Sequence, residues 1–302
     1  MDPVSRPPRR DLALIALAIA AVSTAAPLIR EARAPALAIA FWRNAMAVAV
    51  LGPLCALRRR EEIGGLAAAP GPARGALLAG VLLSAHFATW VPSLSFTTVA
   101  SSVALVATQP VWAALLARAR GHHVPAQAWL GIVVAVGGAV VLTGVDVALS
   151  GRALAGDLLA LAGGALAAGY VTVGGEVRQS LSTTLYTAIC YSTAAGVLGL
   201  LCLGGRQALA GFDGRTWLCL VALTAGPQFL GHSVVNRVLR TTSATIVSVA
   251  ILFEIVGSTF LAWVAFGETP PAGAYPAAAL IAGGIVLVVL AGRPPEVPPV
   301  VD

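Results

Sequence analysis

The stretch ATIVSVAILFEIVGSTFLAWVAF, residues 244–266, is a continuous apolar run with one carboxylate, Glu254, close to its middle. As a helix rising about 1.5 Å per residue it would cross the roughly 30 Å hydrocarbon layer of a bilayer. A carboxylate at that depth costs about 2.5–3.5 kcal/mol on insertion scales, so it faces protein or a water-lined cavity in preference to lipid. One such run sets the class of the molecule, and the rest of the chain repeats it.

Of 302 residues, 58% are hydrophobic and 11% charged, against about 25% charged in ordinary soluble domains. This is the composition of an integral membrane protein whose environment is the lipid bilayer. All nineteen basic residues are arginine, and they sit between apolar runs. With no interleaved aromatic and basic patch, the net charge of +6 reads as a topology signal and not as a nucleic-acid footprint. Cys55, Cys190, Cys202 and Cys219 lie in or beside apolar runs without the spacing of a disulfide framework or a metal site. GxSxG, HExxH and Walker lysine motifs are missing, so neither an intramembrane enzyme, nor direct ATP drive, nor a bound cofactor is expected.

Charges, Pro-Gly clusters and polar breaks divide the chain into ten expected helices: 12–29, 35–57, 74–94, 98–118, 124–145, 156–175, 183–204, 215–236, 242–266 and 273–292. The basic N-terminus resembles a signal peptide, but the many similar segments that follow make it a retained first helix. With both ends cytoplasmic, thirteen arginines fall inside and five outside, and Arg43 lies within a span. That bias satisfies the positive-inside rule.

The two halves echo each other at offsets of about 145 residues. VLGPLC at 50–55 returns as VLGLLC at 197–202, TTVAS at 97 as TTSAT at 241, and VGGAVVL at 136 as AGGIVLV at 282. The expected layout is a tail 1–11, a first repeat 12–147, a linker 148–155, a second repeat 156–292 and a tail 293–302. Five helices per unit force the second unit to enter from the opposite side, so the expected fold is an all-α polytopic membrane protein of ten helices in two inverted repeats. Such an arrangement puts a binding site near the midplane between the repeats and lets rocking expose it to each side in turn.

FWRNAMAVAVLGPLCALRRR, TTVASSVALVATQPVWAALLA and AILFEIVGSTFLAWVAFGE followed by AGGIVLV resemble EamA-type members of the drug/metabolite transporter superfamily across nearly the whole chain. The resemblance implies a bacterial inner-membrane exporter of amino acids and other small metabolites. On its pattern fall Pro110 in the fourth helix and Gly267-Glu268 closing the ninth. The chain departs from it where Glu254 is followed by Ile255 instead of proline, and where Gly121-His122-His123 stands for the first-half Gly-Glu.

Polar groups inside apolar spans are the candidate substrate contacts. Glu254 is a substrate or proton site, or else a fixed partner of Arg43 or a hydroxyl. Arg43, too deep for easy snorkelling, is a candidate to bind a substrate carboxylate or to act as a structural anchor. His86 and Trp90 share one face of the third helix, and Gln228, His232 and Asn236 one face of the eighth. An offset of 146 matches His86 to His232 and Trp90 to Asn236, as two walls of one cavity would be matched. Gln109 precedes Pro110, whose missing N–H frees the Val106 carbonyl, and Gly226 with Pro227 offers a second bend. Tyr170, with Thr172, Ser23 and Thr24, completes the expected lining. Gly137-Gly138 and Gly283-Gly284 read as packing positions. The leading expectation is therefore a secondary transporter of a small molecule, working as monomer or homodimer, with protons as the candidate coupling ion. A membrane scaffold without transport is the alternative.

Overall fold

The computed structural model describes residues 9–66, 70–232, 234, 238 and 250–291, and all regular structure among them is helical. Among the described residues, eight helical segments are long and apolar enough to span a bilayer: Arg10–Glu31, Ala36–Arg58, Pro70–Ser93, Val99–Ala119, Ala126–Asp146, Gly151–Val177, Thr183–Gly204 and Ala274–Ala291. Helical residues 214–232 and the shorter helix Phe253–Phe266 fall where the eighth and ninth helices are expected. The remainder of those two, including most of 233–249, lies outside the described residues.

The elements are α1 (Arg9–Ser23), α2 (Ala25–Glu31), α3 (Ala36–Arg58), α4 (Arg60–Gly65), α5 (Pro70–Ser93), α6 (Val99–Val106), α7 (Gln109–Ala119), α8 (Ala126–Leu149) and α9 (Gly151–Val177). After them come α10 (Thr183–Gly204), α11 (Gly214–Leu223), a π-helical segment (Thr224–His232), α12 (Phe253–Phe266) and α13 (Ala274–Ala291). The main packing pairs are α8 with α13, α5 with α9, α3 with α10, α5 with α10, and α1 with the π segment. Small residues set how close these pairs come. A Cβ on Gly138 would lie 2.8 Å from the Ile281 nitrogen, and one on Gly284 would lie 2.4 Å from the Ala135 nitrogen, so α8 and α13 meet backbone to backbone. Gly137 and Gly283, the other members of the two glycine pairs, face open space.

Local chemistry explains the departures from the expected boundaries. The connector expected over 148–155 is helical except for Ser150, whose side chain accepts a hydrogen bond from the Arg152 amide at 3.1 Å and starts α9 early. The first span breaks at Thr24. Pro27 there has no N–H for the Ser23 carbonyl, and the Ser258 hydroxyl of α12 donates to that carbonyl instead, at 3.0 Å. The fourth breaks at Ala107–Thr108 ahead of Pro110, and the Val106 carbonyl packs on Gly164 of α9, where a Cβ would come within 2.9 Å.

The ends of the helices are tied in two sets. In one, Arg30 pairs with Glu268, Glu268 accepts from the Val99 amide, Arg215 pairs with Glu31 at 2.8 Å, and Arg152 donates to the Ser95 carbonyl at 3.3 Å. In the other, Arg120 pairs with Glu176 at 2.6 Å, and Glu62 receives the Ser182 amide and hydroxyl. Gly267, at φ 65°, makes the left-handed turn that ends α12 and delivers Glu268 to the first set.

Asp213 caps α11 by accepting from the Thr216 amide at 2.8 Å. Hydrogen bonds from the Thr216 hydroxyl and amide hold its carboxyl below the ordinary aspartate value of 3.8. A carboxylate depressed in the folded state stabilises fully above the unfolded value and loses that contribution as pH falls through the lower folded value. Asp213→Asn, which keeps the cap without the charge, should therefore lose less of its thermal midpoint than the wild type as pH drops below 3.8. Parallel acid-side melting curves measure the difference.

Candidate functional site

The candidate site grows from Arg43, which α3 carries at 1% exposure in an otherwise apolar stretch. Burial strips its guanidinium of water, so every N–H needs a partner. Nε donates to Gln228 Oε1 at 2.9 Å, and the guanidinium carbon sits 4.4 Å above the Phe87 ring, a cation–π contact of about 0.5–2 kcal/mol. Nη1 has no hydrogen-bond partner among the described residues, and neither have Gln228 Nε2 and Trp90 Nε1, all three buried. All three are donors, and what they lack is an acceptor.

Gln228, the partner of Arg43, lies in the π segment. Gly226 and Pro227 lie in this widened stretch, and Gly231 lets it seat on α1, where a Cβ would meet Val22 at 2.5 Å. Gly226 and Pro227, where a second bend is expected, both lie inside this π-helical stretch. On α5, His86 stacks on Trp90 with centroids 5.7 Å apart, and its Nδ1 lies 2.9 Å from the Gly163 carbonyl of α9. A carbonyl only accepts, so Nδ1 carries the hydrogen and fixes the ring's orientation.

Tyr170 of α9 lies among Tyr186, Cys190 and Tyr191 of α10; Tyr191 in turn lies within electrostatic reach of Arg43, and its hydroxyl stands beside the Gln228 amide, beyond hydrogen-bond distance of Nε2. Glu254, half-buried in the first turn of α12, feels the charge of Arg43. No ion pair within 4.0 Å joins the two; Arg43 bonds Gln228 instead. Gln109 and Pro110 are half-buried at the start of α7, beside the helix break. Asn236 lies outside the described residues, and His232 is described in its backbone alone. Thus Arg43, His86, Trp90 and Gln228 are joined through Phe87, whose ring lies under the guanidinium and 5.0 Å from the His86 ring. Phe87 and Tyr191 belong to the same neighbourhood without having stood out in the sequence, where an aromatic in an apolar run carries no mark of the direction it faces.

Long apolar helices closed around a buried cation and its unsatisfied donors define a multi-pass membrane protein with a polar interior. The family model of the EamA-like transporter family matches residues 11–144 and again residues 154–290. The chain belongs to that family and is a membrane transporter made of two sequence repeats. Among fifteen matching chains of solved structures, one described as "Crystal structure of protein" is 19% identical with a TM-score of 0.62, over 93% of this chain and 97% of that one. Likeness at that identity concerns the fold alone. No curated protein matches the sequence.

Proposed function

We propose that the protein is a secondary transporter that exports small carboxylated metabolites such as amino acids across a bacterial inner membrane by alternating access. The observation that carries this reading is the set of three buried donors without acceptors, on Arg43, Gln228 and Trp90, drawn from both sequence repeats. A substrate carboxylate supplies the missing acceptors, and charge-assisted bonds to it are the strong kind. His86 and Tyr170 wall the path beside the anchor. Glu254 is the proton-exchanging group, and Pro110, Gly226 and Pro227 are the points where helices flex.

The pairing of elements supports an inverted repeat of ten crossings. α5 of the first repeat packs on α9, which opens the second, and the π segment of the second repeat packs on α1, which opens the first. The end of α2 and the start of α9 belong to the same set of ties, through Arg30, Glu268, Val99, Ser95 and Arg152. The arginine bias supports cytoplasmic termini.

Counterflow tests the proposal. Proteoliposomes preloaded with an unlabelled amino acid should concentrate the labelled one from outside, and vesicles that exchange no member of a panel of carboxylated metabolites would end the carboxylated-substrate reading. Exchange indifferent to an imposed pH gradient would remove Glu254 from the coupling while leaving transport standing.

A further inference from the structure

Two aspartates that the transport site does not use meet where the repeats join. Asp146 lies in the last turns of α8 and Asp157 in the second turn of α9, with Ser150 between the helices. Asp146 is 1% exposed and Asp157 0% exposed. They are buried because α9 presses on the α5–α6 connection: a Cβ on Gly156 would stand 2.8 Å from the Thr97 nitrogen. Thr97 Oγ1 donates to Asp146 Oδ2 at 3.3 Å. Asp157 has Thr97, Thr143 and Asp146 as its polar neighbours. Asp146 Oδ1 and both oxygens of Asp157 have no partner among the described residues.

A pair of carboxylates in this position must be neutralised in part. Two hydroxyl hydrogens cannot satisfy four carboxylate oxygens, and no basic group lies within 4.0 Å of either residue among the described residues. The nearest cation along the chain, Arg152, is turned away onto the Ser95 carbonyl and the Phe96 ring. On the elements packed around the pair, His86 of α5 is bound to Gly163, Arg74 of α5, Arg118 of α7 and Tyr275 of α13 are exposed, and α6 carries no titratable side chain. Glu268, next to the start of α6, is held by Arg30 and the Val99 amide. Two adjacent anions in so dry a place repel one another and forgo hydration; one proton between them removes both costs, because a carboxyl O–H donates a short, strong bond to a carboxylate.

We infer that Asp146 and Asp157 share a single proton as a carboxyl–carboxylate pair, a proton-binding site at the junction of the repeats and separate from Glu254. The pair fastens the end of the first repeat to the start of the second and, through Thr97, to the α5–α6 connection. This inference does not rest on the transport reading.

Infrared spectroscopy of the purified full-length chain at neutral pH tests it. A deuterium-sensitive C=O band of a protonated carboxyl is expected, retained in Glu254→Gln and lost in both Asp146→Asn and Asp157→Asn, where the amide donates in place of the proton. In the wild-type chain, labelling aspartate with carbon-13 at its carboxyl should shift the same band, so the result stands even where an asparagine variant does not fold. A band unmoved by the label, or unchanged in both asparagine variants, overturns the inference. So does a band that appears only when sodium is replaced by choline, which would assign the position to a metal cation.

Discussion

Arg43→Gln should weaken binding of a carboxylated substrate by about 10- to 100-fold, the equivalent of losing one hydrogen bond to a charged group worth about 1.5–3 kcal/mol. The buried guanidinium supplies the only positive charge in the group formed with His86, Trp90 and Gln228, and its Nη1 is one of the three donors without an acceptor. Glutamine retains donor capacity but not the charge, so the loss reports the electrostatic part of recognition. Phe87→Leu removes the ring beneath the guanidinium and should cost less, about 0.5–2 kcal/mol. Calorimetric or thermal-shift titration of both variants with an amino acid bound by the wild type measures the difference. Undiminished affinity in Arg43→Gln would show that Arg43 is a packing element whose bond to Gln228 is its whole role.

Gly284→Ala is expected to destabilise the fold while its neighbour Gly283→Ala does not. A methyl on Gly284 would stand 2.4 Å from the Ala135 nitrogen and 2.6 Å from the Gly131 carbonyl oxygen. Both obstacles are main chain, which cannot rotate aside, so α8 and α13 must separate along their contact. Overpacking of this kind costs about 1–3 kcal/mol. Gly283 meets nothing within 4 Å, and there alanine gains about 0.5–1 kcal/mol of helix propensity. Two adjacent and chemically identical substitutions should thus move the thermal midpoint in opposite directions. A shift of the same sign and size in both would mean that α8 and α13 are not in backbone contact.

Much of the fold was legible because a bilayer imposes a minimum length on every apolar segment, and length survives in one dimension. Pro110 was legible for a related reason: a missing N–H interrupts a helix wherever it falls. Arg43 stood out as a lone cation in an apolar run. What could not be read was direction. Phe87 lies beside His86 in the chain, yet only the rotation of α5 turns it beneath the guanidinium. The two glycine pairs were legible as packing positions, but not which member of each pair faces the partner helix. Asp146 and Asp157 flank a stretch that reads as a connector, where acids are ordinarily solvated. Both become buried because the helices continue through that stretch up to Ser150.

The break in the first span is completed by a residue 235 positions away, since the carbonyl that Pro27 leaves open is filled by the Ser258 hydroxyl. The curvature of α1–α2 is therefore not a property of its own sequence alone. Any sliding of α12 along the membrane normal drags the elbow of the first span or abandons a bare carbonyl in a dry interior. The two segments are geared together, so displacement in one half of the molecule is paid out as bending in the other.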